Sequence, residues 1–153
     1  MILTNEQVLQ KYAPMVFKIA YARLGNKYDA DDIMQEVFLR YIKAKTDFQS
    51  EEHIRNWLIR AAVNCSKSLL SSSWHQKTAP MDEALATTDE TDEVTGALMS
   101  LSEVYRTVIH LHYYEGFSVA EIASLLGRSE GTVKSQLFRG RDALRKQLEG
   151  DEE

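Results

Sequence analysis

The sequence is short of most features that build sheets, disulfides or membrane spans. Its 153 residues hold a single cysteine, Cys65, so no internal disulfide can form. A lone thiol is compatible with a reducing cytosol, and a cytoplasmic protein is expected. Only two prolines and seven glycines punctuate the chain. Strand-like alternation is weak and helical periodicity pervasive, which predicts an all-α fold. No apolar run is long enough to cross a bilayer, and no signal peptide opens the sequence. The phosphate-loop, HExxH and Ser-His-Asp patterns are missing. His110 and His112 stand two residues apart, on different sides of a helix, with no cysteine nearby to complete a metal site. The expectation is a chain that is not an enzyme, holds no cofactor or metal and does not insert into a membrane.

Positive charge is also scarce overall, with a net of −5, yet it is unevenly spread. Met1–Thr78 carries 11 Lys and Arg against 8 acids. Residues 79–96, APMDEALATTDETDEVTG, carry 6 acids and no base. From Arg128 to Gln147 there are 6 bases against 2 acids. Local charge governs attraction to phosphates, so the acidic total does not exclude a nucleic-acid partner. The acidic stretch has few large apolar residues and reads as a flexible linker. It divides the chain into a helical domain over 1–78, a linker over 79–96 and a second helical domain over 97–150.

Residues 118–146, SVAEIASLLGRSEGTVKSQLFRGRDALRK, read as helix, tight turn, helix. Ser118 and Glu121 form a capping box. Val119, Ile122, Ala123 and Leu126 give the first helix its buried stripe. Gly127 stands where the chain leaves that helix, and Ser129 caps the second, with Glu130 at its positive end. Val133, Leu137, Gly140 and Leu144 share the inner face. Thr132, Ser135 and Arg139 lie opposite, with Lys134, Gln136 and Arg141 on the flanks. Gly140 lowers helix propensity by about 1 kcal/mol against Ala, so close packing is its expected use. An exposed basic second helix is the layout of a helix-turn-helix that enters a DNA major groove. A helix over about 98–114 is predicted to cover it, through Leu101, Val104, Tyr105, Val108, Ile109 and Leu111.

Four helical segments are predicted before the linker. Thr4 with Gln7 caps a first short one, and Pro14 restarts the chain at a helix first turn. Gly25 and Asn26 end that second segment. Asp29 is the expected cap of the third, whose inner face is Ile33, Val37, Tyr41 and Ala44. After a polar bend at 46–50, Ile54, Leu58, Ala61, Cys65 and Leu69 mark the inner face of the fourth.

The motifs DADDIMQEVFLRYIK, WLIRAAVN and YRTVIHLHYYEGFSVAEIASLLGRSEGTVKSQLFRGRDAL occur here in that order. Together they resemble a bacterial RNA polymerase sigma factor, in the compact two-domain form of the extracytoplasmic-function (ECF) group. The resemblance covers roughly residues 9–148. It implies a chain that binds core RNA polymerase, directs it to promoter DNA and assists melting and initiation. It implies contact with the β′ clamp helices through Asp32, Gln35, Glu36, Phe38 and Leu39, and a further contact with the β flap. It places Phe48, Arg55, Trp57, Arg60, Asn64 and Lys67 at the minus-ten element, where an extruded base needs stacking and its phosphates need cations. It places Arg128, Thr132, Lys134, Ser135, Gln136, Arg139, Arg141 and Arg145 at the minus-thirty-five element, with Arg141 and Arg145 holding the backbone. An anti-sigma inhibitor is common in the group.

Two departures stand out. The family's usual TVKSRL keeps its Lys at Lys134 but has Gln136 in place of Arg, and glutamine can pair with adenine. After Asn64 the family often has Asp and several Arg, whereas this chain runs SLLSSSWHQK from Ser68, which leaves upstream duplex contacts to Lys67, His75 and Lys77. Two other readings compete: a stand-alone helix-turn-helix regulator, which explains only residues 98–148, and a sigma-like scaffold that binds polymerase without initiating.

Overall fold

The computed structural model describes residues 3–70 and 93–150, and among them there are helices and no strands. The chain divides into two compact units, Met1–Asp82 and Glu83–Glu153. The predicted upstream contacts His75 and Lys77, the serines at 71–73 and most of the linker lie outside the described residues.

The first unit is a three-helix packing of α1 (Asn5–Leu24), α2 (Lys27–Lys43) and α3 (Glu51–Leu70). The Thr4–Gln7 capping box forms in both directions, at 3.2 and 2.9 Å. Pro14 does not restart the helix: α1 runs through it as one element. The ring is exposed, so the backbone group it leaves unbonded faces water rather than the core. Gly25 ends α1 in the left-handed region, at φ 70°. The cap of α2 is Asn26, not Asp29, because the Asn26 side chain accepts from the Asp29 backbone N–H at 2.9 Å. Val8, Val16, Ile19, Ala30, Val37, Ile54, Leu58 and Ile59 fill the core. On α3 the buried face passes through Ala62 and Ser66 rather than Ala61 and Leu69, and the Ser66 hydroxyl is satisfied by the Ala62 carbonyl at 2.6 Å.

The second unit contains α4 (Glu93–Met99), α5 (Glu103–Ile109), α6 (Val119–Leu126) and α7 (Glu130–Gly150). α4 begins inside the predicted linker, so residues 93–96 are helical rather than extended. The single helix expected over 98–114 is two helices with a bend at Ser100–Leu101. The Arg106 guanidinium holds that bend by donating to the carbonyls of Met99 and Leu101. After α5 the chain widens into one π turn, His110–Tyr114, in which the Glu115 N–H reaches back five residues to the His110 carbonyl at 3.1 Å. His110 and His112 pin this turn. His110 Nε2 meets a Glu115 carboxylate oxygen at 2.8 Å, and His112 Nδ1 meets the Phe117 carbonyl at 2.8 Å.

α6 and α7 make the predicted helix-turn-helix. The Ser118–Glu121 capping box, the left-handed Gly127 at φ 67° and the Ser129 cap all form. Ile122, Ala123 and Leu125 are buried, while Val119 and Leu126 are half-buried at the edge. Gly140 is where α7 comes closest to α5. A Cβ there would stand 3.0 Å from Ile109 Cδ1 and 3.2 Å from Tyr105 Cβ. The glycine is used for close approach of two helices, as its place on the inner face suggested.

Candidate promoter and polymerase interface

α2 presents an acidic and apolar outer face. Asp32, Gln35 and Glu36 are exposed, and Leu39 is 52% exposed, one turn further along. Gln35 donates to Asp31 at 2.7 Å, and Glu36 pairs with Arg40 at 2.8 Å. These are surface contacts within one helix and hold little energy against a partner. Phe38 does not join this face. It is 5% exposed and widens the apolar stripe of Ile33, Val37 and Tyr41, so its ring serves the core. In the second half of α2 the exposed large apolar side chains are Leu39 and Ile42, three residues apart.

The bend before α3 carries an aromatic nest. Phe48 packs on Tyr41, His53 and Trp57 with centroids 5.2, 5.0 and 6.0 Å away. Trp57 meets Tyr41 edge-on at 5.7 Å. These separations suit aromatic pairs, and three sides of Phe48 are thereby held. Ser50 caps α3 through the His53 N–H at 3.0 Å, and His53 Nδ1 accepts from the Gln49 N–H at 3.2 Å. Burial raises the Tyr41 hydroxyl pKa above its ordinary value. Trp57, Arg60, Asn64 and Lys67 follow at helical spacing along α3, and the last three are exposed. The structure does not bring Arg55 to this row: it lies on another side of α3, 3.9 Å from Glu52, its guanidinium against the Asn56 amide oxygen at 3.2–3.3 Å. Phe48 and Trp57 are thus a half-buried platform, with polar and cationic groups continuing from it.

α7 splits the predicted upstream residues into two kinds. Thr132, Lys134, Ser135 and Arg139 are exposed on its outer side. The Thr132 hydroxyl accepts from the Ser129 hydroxyl at 2.8 Å. The other cations are engaged within the protein. Arg128 donates to Gln136 Oε1 at 2.9 Å, and burial lowers its pKa. Arg141 donates to the Tyr113 hydroxyl at 2.7 Å. Arg145 pairs with Asp142 at 2.8 Å and Glu149 at 3.2 Å, and Lys146 shares Asp142. The two cations hold the Asp142 carboxyl below its ordinary value.

The two units match two family descriptions, sigma-70 region 2 over residues 8–76 and sigma-70, region 4 over residues 91–144. The ECF RNA polymerase sigma-E factor of Escherichia coli is 30% identical over 139 residues, covering 76% of this chain and 72% of its own length. The chain belongs to the ECF sigma factors. The sigma factor SigW of Bacillus subtilis is 28% identical over 162 residues, covering 92% of this chain and 87% of its own. Among solved structures, CnrH in complex with the cytosolic domain of CnrY superposes with a TM-score of 0.70 at 25% identity, over 96% of this chain and 88% of that one. RpoE in complex with the anti-sigma factor NepR from Bartonella quintana gives 0.72 at 20% identity, over 94% and 96%, a likeness of fold alone.

As a sigma factor, the chain directs RNA polymerase to promoters. Against that role, sequence reasoning missed three features. His53 completes the Phe48 nest, and its spacing of four from Trp57 was a readable cue. Phe138 is 65% exposed on α7, one turn beyond Lys134. Tyr113 and Tyr114 are exposed at the π turn.

Proposed function

We propose that this sigma factor grips a promoter in two places while bound to core RNA polymerase. Asp32, Gln35, Glu36 and Leu39 on α2 dock on the β′ clamp helices, with the buried Phe38 setting the helix behind them. Phe48 and Trp57 receive a base unstacked from the minus-ten element, and Arg60, Asn64 and Lys67 hold the strand that carries it. α7 enters the major groove of the minus-thirty-five element with Thr132, Lys134, Ser135 and Arg139 at base edges and phosphates, while the second unit rests on the β flap. The exposed row on α7, backed by the close Gly140 contact, carries this reading most directly. Since Arg145 has its own carboxylates, its backbone contact requires those pairs to exchange for phosphate. An anti-sigma protein is a further partner, for which Leu39 with Ile42 offers an exposed apolar strip; the similar CnrH is itself solved with the cytosolic domain of CnrY. Work on polymerase places the chain in the cytoplasm.

Run-off transcription with core enzyme and genomic fragments tests the reading. Transcripts that start at defined sites only when the chain is present are expected. Binding to core without new transcripts would indicate a scaffold, and DNA binding without core a stand-alone regulator.

A further inference from the structure

The hydrogen bond between Arg128 and Gln136 decides what α7 can offer a base. A guanidinium has five N–H donors and no acceptor, so only an amide oxygen can face it. Gln136 therefore turns Oε1 toward Arg128 Nη1, at 2.9 Å, and its amide orientation is settled by chemistry. Both side chains are half-buried beside the exposed row of Thr132, Ser135 and Arg139. Gln136 lies four residues after Thr132 and three before Arg139, which puts it on the border of that row.

A glutamine that reads adenine uses both ends of its amide, accepting from N6 and donating to N7. Here the accepting end already serves a cation. Adenine would have to share Oε1 with Arg128, whereas guanine presents two acceptors, N7 and O6, and asks only for donors. The Gln136 Nε2 hydrogens and the remaining Arg128 N–H groups supply donors alone. This differs from the adenine pairing that Gln136 suggests when read without its neighbour.

We propose that Arg128 and Gln136 act as one donor-only reader that selects guanine at the upstream base pair they face. The proposal rests on the reading of α7 as the groove helix. The test uses the full chain with core polymerase on a promoter found by the run-off assay, with each base pair of the upstream element varied in turn. The position read by Gln136 is the one whose preference changes in Gln136→Ala. At that position guanine should exceed adenine by roughly tenfold in transcript, the scale of one good bidentate pair. Replacing that guanine with 7-deazaguanine, which lacks the N7 acceptor, should remove most of the advantage. Arg128→Ala frees Oε1 and should raise adenine relative to guanine. A preference for any other base, no preference, or full activity on 7-deazaguanine overturns the proposal. So does an unchanged adenine-to-guanine ratio in a folded Arg128→Ala chain. If that variant does not fold, the 7-deazaguanine result on the unaltered protein decides alone. A chain that starts no promoter-dependent transcript on any template sinks the underlying reading of α7 instead.

Discussion

The two units carry their candidate sites in opposite ways. In the first, the aromatic groups of the site are also part of the packing: Phe48 and Trp57 lean on Tyr41, whose other contacts are the core. In the second, Thr132, Lys134, Ser135 and Arg139 stand exposed on the outer side of α7, and the helix is held from behind by Val133, Leu137 and Gly140. A site that is half core couples recognition to stability. A site on the outer face of a well-seated helix can vary its residues with little cost to the fold. The aromatic part of the first unit's site is therefore expected to tolerate few changes, and the outer row of α7 many.

The largest effect that bears on this contrast is expected from Trp57→Ala. Removing a half-buried indole from the nest should destabilise the first unit by about 3 kcal/mol, at the low end for large aromatic truncations. Thermal unfolding of the variant checks it, and a loss below about 0.5 kcal/mol would show that the nest is not structural. Next comes Gly140→Leu. Even a Cβ meets Ile109 and Tyr105 at close range, so the second unit should lose about 2 kcal/mol, in the range for overpacking. Upstream-element recognition should fall with it, although no outer residue has changed. Arg139→Ala sharpens the other side of the contrast. Stability should stay within about 0.5 kcal/mol, while promoter-directed transcription drops roughly tenfold and binding to core is kept. Loss of core binding in that variant would break the division of labour.

The smallest expected effect concerns acid. The Glu51 carboxylate accepts from Lys11 and from the Tyr12 hydroxyl at 2.6 Å, tying α3 to α1. These bonds lower the Glu51 pKa, and burial with the Glu51 bond pushes the Tyr12 hydroxyl up to about 12. A carboxyl held low when folded contributes stability above its unfolded pKa. That contribution fades as pH falls through the lower, folded value. The melting temperature of the first unit should thus fall slightly more steeply below the ordinary glutamate range than that of Glu51→Gln, which lacks the titrating group. Equal slopes would mean that the tie is immaterial.

What the sequence made legible was mostly local. The Ser118–Glu121 box, Gly127 and the Ser129 cap are each decided within four residues, and each forms. Gly140 was readable because a glycine on an apolar helix face has few other uses. The misreadings needed distant partners. Whether Pro14 breaks α1 depends on which side of the helix meets the core, and the bend at Ser100–Leu101 depends on Arg106, which reaches back to hold it. Phe38 was placed among contact residues by the family resemblance, yet the stripe it extends is wide enough to take it inward. Gln136 read alone suggested adenine, and only the position of Arg128 shows which end of its amide is engaged.

The π turn at His110–Tyr114 acts as a shim in the second unit. An ideal helix advances about 100° per residue, so one residue of slack changes the direction in which the chain leaves the helix for the loop before Ser118. The His110–Glu115 and His112–Phe117 bonds lock that direction just before Ser118 starts α6. The start of the helix-turn-helix is therefore set upstream of it, and the same turn reaches α7 through the bond from Arg141 to Tyr113. Deleting one residue from the turn should shift where α6 begins and break the Tyr113 tie to α7, while the seat of α7 on α5 at Gly140 stays.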